Sequence, residues 1–132
     1  MPPQEVNEIT ARIIGCAYEV SNTLGIGFVE KVYENALVRA TRKTGLGVEQ
    51  QFPIKVMFDG VVVGEFFADL FVEKRVLVEL KAVSMLTQEH TAQALNYLRA
   101  TGADVCLLIN FGRSKIEIKR LLPSVYWKTP QP

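Results

Sequence analysis

The segment Val76-Leu77-Val78-Glu79-Leu80-Lys81-Ala82-Val83 sets two charged side chains inside an otherwise apolar run. Period-2 alternation places Val76, Val78, Leu80 and Ala82 on one face of a strand, and Glu79 with Lys81 on the other. In the preceding strand Phe66, Ala68, Leu70 and Val72 share a face, and Asp69 projects opposite. A hairpin in suitable register brings Asp69 beside Glu79 and Lys81. Two carboxylates and an ammonium among apolar strands are costly unless they are paired or bound to an ion. One solution is a cross-strand Asp–Lys or Glu–Lys pair on a solvated face, a common feature of antiparallel sheets. The other is a divalent-metal site: Asp69 and Glu79 supply hard oxygens, and Lys81 lies beside a bound water. Mg²⁺ is typically held by one or two carboxylates plus substrate phosphates. Spacing alone leaves both solutions open.

Further polar candidates lie on helical patterns. Gln93 and Tyr97 are four residues apart and share a face, with His90 three residues before Gln93 on that side. Ala92, Leu95 and Leu98 form the more apolar side. A polar flank with a half-buried tyrosine accounts for them without chemistry. Glu30 falls at the edge of an apolar stripe next to Tyr33 and Leu37, where a surface glutamate is equally at home. The glycine-rich Leu24-Gly25-Ile26-Gly27-Phe28 lacks the Gly-Lys-Ser/Thr of a phosphate loop and the third glycine of a dinucleotide fingerprint. A helix-to-helix turn explains it.

His90 is the only histidine, and no nucleophile elbow or oxyanion loop accompanies it, so triad chemistry has little support. Cys16 and Cys106 stand far apart with no Cys-x-x-Cys pair. That argues against a disulfide framework or thiolate zinc and for a reducing compartment. Any metal is expected to be hard and carboxylate-held.

The elements that must position these residues follow from periodicity. Val6, Ile9, Ile13, Ala17, Val20 and Leu24 predict an amphipathic helix over 6–24, with Gly25 past its end. A second helix starts near Phe28, its stripe formed by Val29, Val32, Tyr33, Ala36, Leu37 and Ala40, before Gly45 and Gly47. Strands are expected at 52–58, 61–72 and 75–83, the first two joined by an Asp59-Gly60 hairpin. A helix over 88–100 with Thr87 as N-cap follows, then a buried strand at 105–110 and an edge-like strand around 116–119. A strand–helix–strand crossover after a meander implies a mixed sheet with helices packed on it.

The 132 residues suit one domain, expected over 1–126 with a loose tail at 127–132. Hydrophobic residues at 48% and charged ones at 22% exclude wholesale disorder. Fifteen basic against fourteen acidic residues give +1, which excludes a polybasic protein that grips nucleic acid by bulk charge. Local basic clusters remain at Arg39, Arg42 and Lys43 and at Arg113, Lys115, Lys119 and Arg120. The N-terminus shows no secretion signal and no apolar run is long enough to span a membrane, so a cytoplasmic protein is expected.

Gly27-Phe28-Val29-Glu30-Lys31-Val32-Tyr33 resembles the Gly-x-x-Glu-x-x-Tyr signature of the GxxExxY protein family, a small-domain branch of the PD-(D/E)XK nuclease superfamily. The resemblance extends through Asp69, Glu79-Leu80-Lys81, His90-Thr91-Ala92-Gln93, Asn96-Tyr97-Leu98 and Leu108-Ile109-Asn110-Phe111-Gly112. It runs from the first helix to about Leu122. The superfamily's proline before the first acid is Ala68 here, a departure at a position that supports the backbone.

The resemblance implies an α/β, restriction-endonuclease-like core: a mixed β-sheet, antiparallel meander plus strands after a crossover helix, flanked by α-helices. It implies that Asp69 and Glu79 ligate Mg²⁺ or Mn²⁺, with the Leu80 carbonyl a further ligand and Glu30 approaching directly or through water. Lys81 would orient and help deprotonate the attacking water, and Gln93 and Tyr97 would position the site and the phosphate. The implied activity is metal-dependent phosphodiester hydrolysis, in DNA before RNA. The alternatives are a non-catalytic module binding nucleic acid or a protein partner, and a phosphohydrolase of small nucleotides. Small nuclease domains of this fold often pair, so a homodimer belongs to the expectation.

Overall fold

Helix-period stripes at the start of the chain and period-2 segments after them fold into eight elements, in a computed structural model that describes residues 3–127. They are α1 (Pro3–Leu24), α2 (Glu30–Lys43), β1 (Val48–Phe58), β2 (Val61–Val72), β3 (Val76–Lys81), α3 (Gln88–Thr101), β4 (Val105–Asn110) and β5 (Glu117–Leu121). Of the tail expected at 127–132, residues 128–132 lie outside the described residues. None of the described helices is long and apolar enough to cross a membrane.

Local chemistry fixes the joints. Asp59 and Gly60 both take positive φ, 53° and 74°, as a two-residue hairpin matched to strand twist demands. Thr87 caps α3 by accepting from the His90 N–H, while His90 Nδ1 accepts from the Thr87 N–H at 3.0 Å. Gly102 ends α3 in the left-handed conformation.

The five strands form one sheet in the order β1-β2-β3-β4-β5. Neighbours are antiparallel except β3 and β4, which run parallel across the α3 crossover. The mixed sheet flanked by helices is therefore present as expected. α1 and α2 cover one face, burying Ile13, Ala17, Tyr33 and Leu37 against Val76, Val78, Leu80, Leu107 and Ile109. α3 covers the other with Ala94, Tyr97 and Leu98 against Ile54, Ala68, Leu77 and Cys106. A fully buried leucine on either face contributes roughly 1.5–3 kcal/mol by area removed from water.

Several expectations shift. The buried side of α2 carries Tyr33, Glu34, Leu37, Val38 and Thr41, whereas Val29 and Val32 face solvent. The helix is thus rotated from the apolar stripe toward Glu34. On α3 the buried side is Ala94, Tyr97 and Leu98, with Ala92 exposed.

β2 does not keep one alternation throughout. Leu70 and Val72 belong to the α1/α2 side, but Ala68 belongs to the α3 side and Phe66 packs on Tyr97. β1 switches with it, since Val48 lies on the first side and Phe52 and Ile54 on the second. The switch falls where Gln51, at φ 53°, and Asp69 drop out of the ladder between Gln50↔Leu70 and Phe52↔Ala68.

β3 ends at Lys81 because Asn110 takes over the pairing beyond it. The Asn110 amide accepts from the Val83 N–H and donates to the Val83 carbonyl, at 3.0 and 2.9 Å. A Cβ at Gly112 would lie 2.1 Å from the Val83 oxygen, so only glycine fits that crossing. The Leu108–Gly112 segment is thereby accounted for as architecture.

Candidate active site

β2 and β3 part company at the two acids. Their last ladder pair is Leu70↔Val78, and the next residues along are Asp69 and Glu79. Side chains replace the missing ladder: Glu79 Oε1 accepts from the Asp69 N–H at 3.0 Å, and Asp69 Oδ2 accepts from the Leu80 N–H at 2.8 Å. Each carboxylate retains a second oxygen. Asp69 Oδ1 meets the Gln51 amide at 3.3 Å, and Glu79 Oε2 accepts no hydrogen bond among the described residues. Leu80 packs its side chain in the α1/α2-side core, so the backbone between the acids is firmly held.

Lys81, two residues on, faces α3. Its ammonium donates to Gln93 Oε1 at 3.4 Å, and the Gln93 amide donates to the Tyr97 hydroxyl at 3.3 Å. Lys81, Gln93 and Tyr97 therefore form one hydrogen-bonded chain, and the Tyr97 hydroxyl is pushed up by burial and then by the nearby Glu79 and Asp69 charges. The expected Asp–Lys or Glu–Lys cross-strand pair does not form: none of Asp69, Glu79, Glu30 or Lys81 takes part in a salt bridge among the described residues.

Glu30 is the first residue of α2, and its place is set by Tyr33. The buried Tyr33 hydroxyl donates to the Gly25 carbonyl at 2.7 Å and accepts from the Phe28 N–H at 3.3 Å. Its ring stacks on Phe111 with centroids 5.0 Å apart. Gly27, at φ 110°, completes the turn in a conformation that favours glycine. In the Gly-x-x-Glu-x-x-Tyr segment, glycine and tyrosine build the turn that delivers Glu30. His90 is committed to the α3 cap.

Two residues of this site escaped the sequence reading. Glu34, 3% exposed on α2, accepts from Lys31 at 2.8 Å, from Gln50, and from Gln51 at 3.0 Å. Gln51 also reaches Asp69, so a polar line runs from α2 through β1 to the first acid. The signal for Glu34 was its spacing to Leu37, Val38 and Thr41, which makes one helical face. Nothing in the sequence marks the left-handed backbone at Gln51.

Electrostatics single out the acid pair. Burial, then repulsion from Asp69, pushes Glu79 up to about 8. Burial also raises Asp69, against the Leu80 N–H that lowers it. Glu30 is raised by burial, with the nearby Lys81 charge opposing and Asp69 reinforcing. Burial would raise Glu34 too, but hydrogen bonds from Lys31, Gln50 and Gln51 bring it below the usual range.

A buried Glu79 and a half-buried Asp69 with no cation paired to them, each keeping an oxygen clear of backbone donors, suit a hard divalent ion. Among the described residues no three His, Cys, Asp or Glu side chains close into a cage. The donor set therefore fits an ion whose remaining positions are filled by water and substrate oxygens, as Mg²⁺ prefers.

The model of the PD-(D/E)XK nuclease superfamily matches residues 7–121. Comparison with curated proteins gave no match. Among solved structures, the crystal structure of SSO0001 is similar with a TM-score of 0.57 at 14% identity, over 73% of this chain. The likeness is one of fold. This chain covers 51% of that one.

Proposed function

The chain belongs to the PD-(D/E)XK nuclease superfamily, and we propose that it is a metal-dependent nuclease of the GxxExxY branch that hydrolyses phosphodiester bonds in DNA. PD-(D/E)XK nucleases typically use divalent metal ions. The observation that carries the proposal is the pairing of half-buried Asp69 with buried Glu79, free of any salt bridge among the described residues, with Lys81 two residues on and turned to Gln93.

Asp69 and Glu79 are the proposed ligands of Mg²⁺ or Mn²⁺, with the Leu80 carbonyl and Glu30 as further ligands, Glu30 directly or through water. The ion, when bound, lowers the pKa of water and offsets charge developing on the phosphate. The protein's own part is positional. The ladder-replacing hydrogen bonds fix both carboxylates, and Gln51 steadies Asp69 from the side. Lys81 orients the attacking water and favours its deprotonation, since a cation stabilises nearby hydroxide. Gln93 holds the Lys81 ammonium and ties it to Tyr97, so that both contribute to placing the scissile phosphate.

Incubation of purified protein with Mg²⁺ or Mn²⁺ and single-stranded, frayed and duplex DNA tests this. Cleavage by the wild type, lost in Asp69→Asn and Lys81→Met, is the expected result. Cleavage that persists in both variants identifies a contaminant and removes the assignment. Failure of calorimetry to detect Mn²⁺ binding at millimolar concentration points instead to a non-catalytic module of the same fold.

A further inference from the structure

A cavity of about 700 Å³ opens between α3 and the β1–β2 hairpin, a volume typical of sites for small organic groups. It continues the candidate active site, because Gln93 and Tyr97, which are linked to Lys81, also line its wall. Two features define what it can receive.

The first is aromatic. Phe66 and Tyr97 lie with ring centroids 5.6 Å apart, and Phe66 is 44% exposed, so part of its ring is open to an occupant of the cavity. The second is charge. Lys55 and Arg99 line the cavity against one carboxylate, Glu89. Arg99 is steadied by the Trp127 ring, 5.8 Å from its guanidinium. A purely apolar occupant would use the aromatic wall and neither of these exposed cations. A planar ring on a phosphate backbone uses the aromatic wall and the cationic rim together, and every base offers a face for such stacking.

We propose that this cavity receives one unpaired nucleobase of a DNA strand whose neighbouring phosphate lies at Asp69, Glu79 and Lys81. Single-stranded, frayed or flipped-out DNA is then the substrate in preference to intact duplex, where a base is stacked on both faces and cannot enter. This rests on the nuclease reading of the adjacent acids, and it adds the form of DNA that reaches them.

The test uses single-stranded oligonucleotides in Ca²⁺, with 2-aminopurine or an abasic residue moved along the strand. With wild-type protein, 2-aminopurine fluorescence is quenched at one position, and an abasic residue there weakens binding about tenfold, as loss of one stacked base does. Ala92→Trp fills the cavity from an exposed position of α3. It abolishes the quench and weakens the intact strand by the same factor, while affinity for the abasic strand and for Mn²⁺ is unchanged. Equal affinity for intact and abasic strands at every position overturns the proposal, as does an Ala92→Trp variant that binds like wild type or a protein that binds neither strand. The two readings fail separately. Metal-dependent cleavage with no abasic effect removes the base site alone, and an abasic effect without Mn²⁺ binding or cleavage removes the nuclease alone.

Discussion

The backbone N–H of Asp69 donates to Glu79 Oε1 at 3.0 Å, while Asp69 Oδ2 accepts from the N–H of Leu80, the residue after Glu79, at 2.8 Å. Each acid thus supplies the acceptor that the separated strand no longer offers. A carboxylate holding a backbone N–H is confined to one rotamer and keeps its other oxygen pointing elsewhere. The same contacts end the ladder between β2 and β3 and hold two hard oxygens at the gap, as the proposed metal site would require.

Burial makes that arrangement sensitive to pH. Glu79 is pushed up to about 8, above its ordinary 4.5, so the folded protein holds a proton there that the unfolded chain has released. Stability contributed by this group is present at low pH and is lost as pH rises through the window from about 4.5 to about 8. Thermal melts of metal-free protein should show Tm falling across that range, with the slope reduced in Glu79→Gln. A wild-type Tm that rises steadily over the same window contradicts the raised carboxyl.

Divalent metal should reverse the penalty. Mn²⁺ at about 100 times its Kd adds about 2.7 kcal/mol to the folded state, on the order of 10 °C in Tm for a domain of this size. The shift should grow with pH, because the ion competes with the proton on Glu79. Asp69→Asn should abolish it, and an undiminished shift in that variant would place the ion elsewhere.

Glu34 reaches Asp69 through Gln51 and through its own charge, which pushes the Asp69 carboxyl up, so its removal should damage positioning and leave the reacting groups themselves in place. Glu34→Ala is expected to weaken Mn²⁺ binding and cleavage by about tenfold or more, a usual cost of losing a residue that orients a metal ligand. Glu34→Gln, which keeps an acceptor for Gln51, should recover part of the loss. Calorimetry and cleavage rates measured on the same preparations decide this; equal loss in both variants would mean that the Glu34 charge matters more than its hydrogen bond.

Asn110 should behave as architecture. Its buried amide serves Val83 in both directions, accepts from the Gly112 N–H at 2.9 Å and donates to Glu117. Asn110→Ala leaves several buried groups unmatched and should cost about 2–4 kcal/mol of stability. Denaturant melts should register that loss while the Kd for Mn²⁺ at low temperature stays unchanged.

Much of this was legible in the residues. Period-2 alternation placed Val76, Val78 and Leu80 on one face and Glu79 with Lys81 on the other, and Asp59-Gly60 marked the hairpin that precedes Asp69. The β3 pattern survives because a strand buried on both faces has little freedom to slip, and the hairpin because Asp59 and Gly60 both adopt the positive φ its turn demands. What stayed hidden depended on one backbone angle. Gln51 at φ 53° lifts itself and Asp69 out of the ladder, switches β1 and β2 to their other faces, and opens the line to Glu34. A glutamine carries no propensity for that conformation, so only tertiary contacts select it. Glu34 was missed because a charged residue on a buried helical face is expected on the solvent side unless its partners, Lys31, Gln50 and Gln51, are already known.

In the proposed site Asp69 and Glu79 share one divalent cation. An anomalous difference map from a crystal soaked in Mn²⁺ near pH 8, where Glu79 can give up its proton, tests that sharing. A peak in contact with an oxygen of each carboxylate, and none in crystals of Asp69→Asn, is the expected result. A map without a peak between them, or with the same peak in the variant, would contradict it.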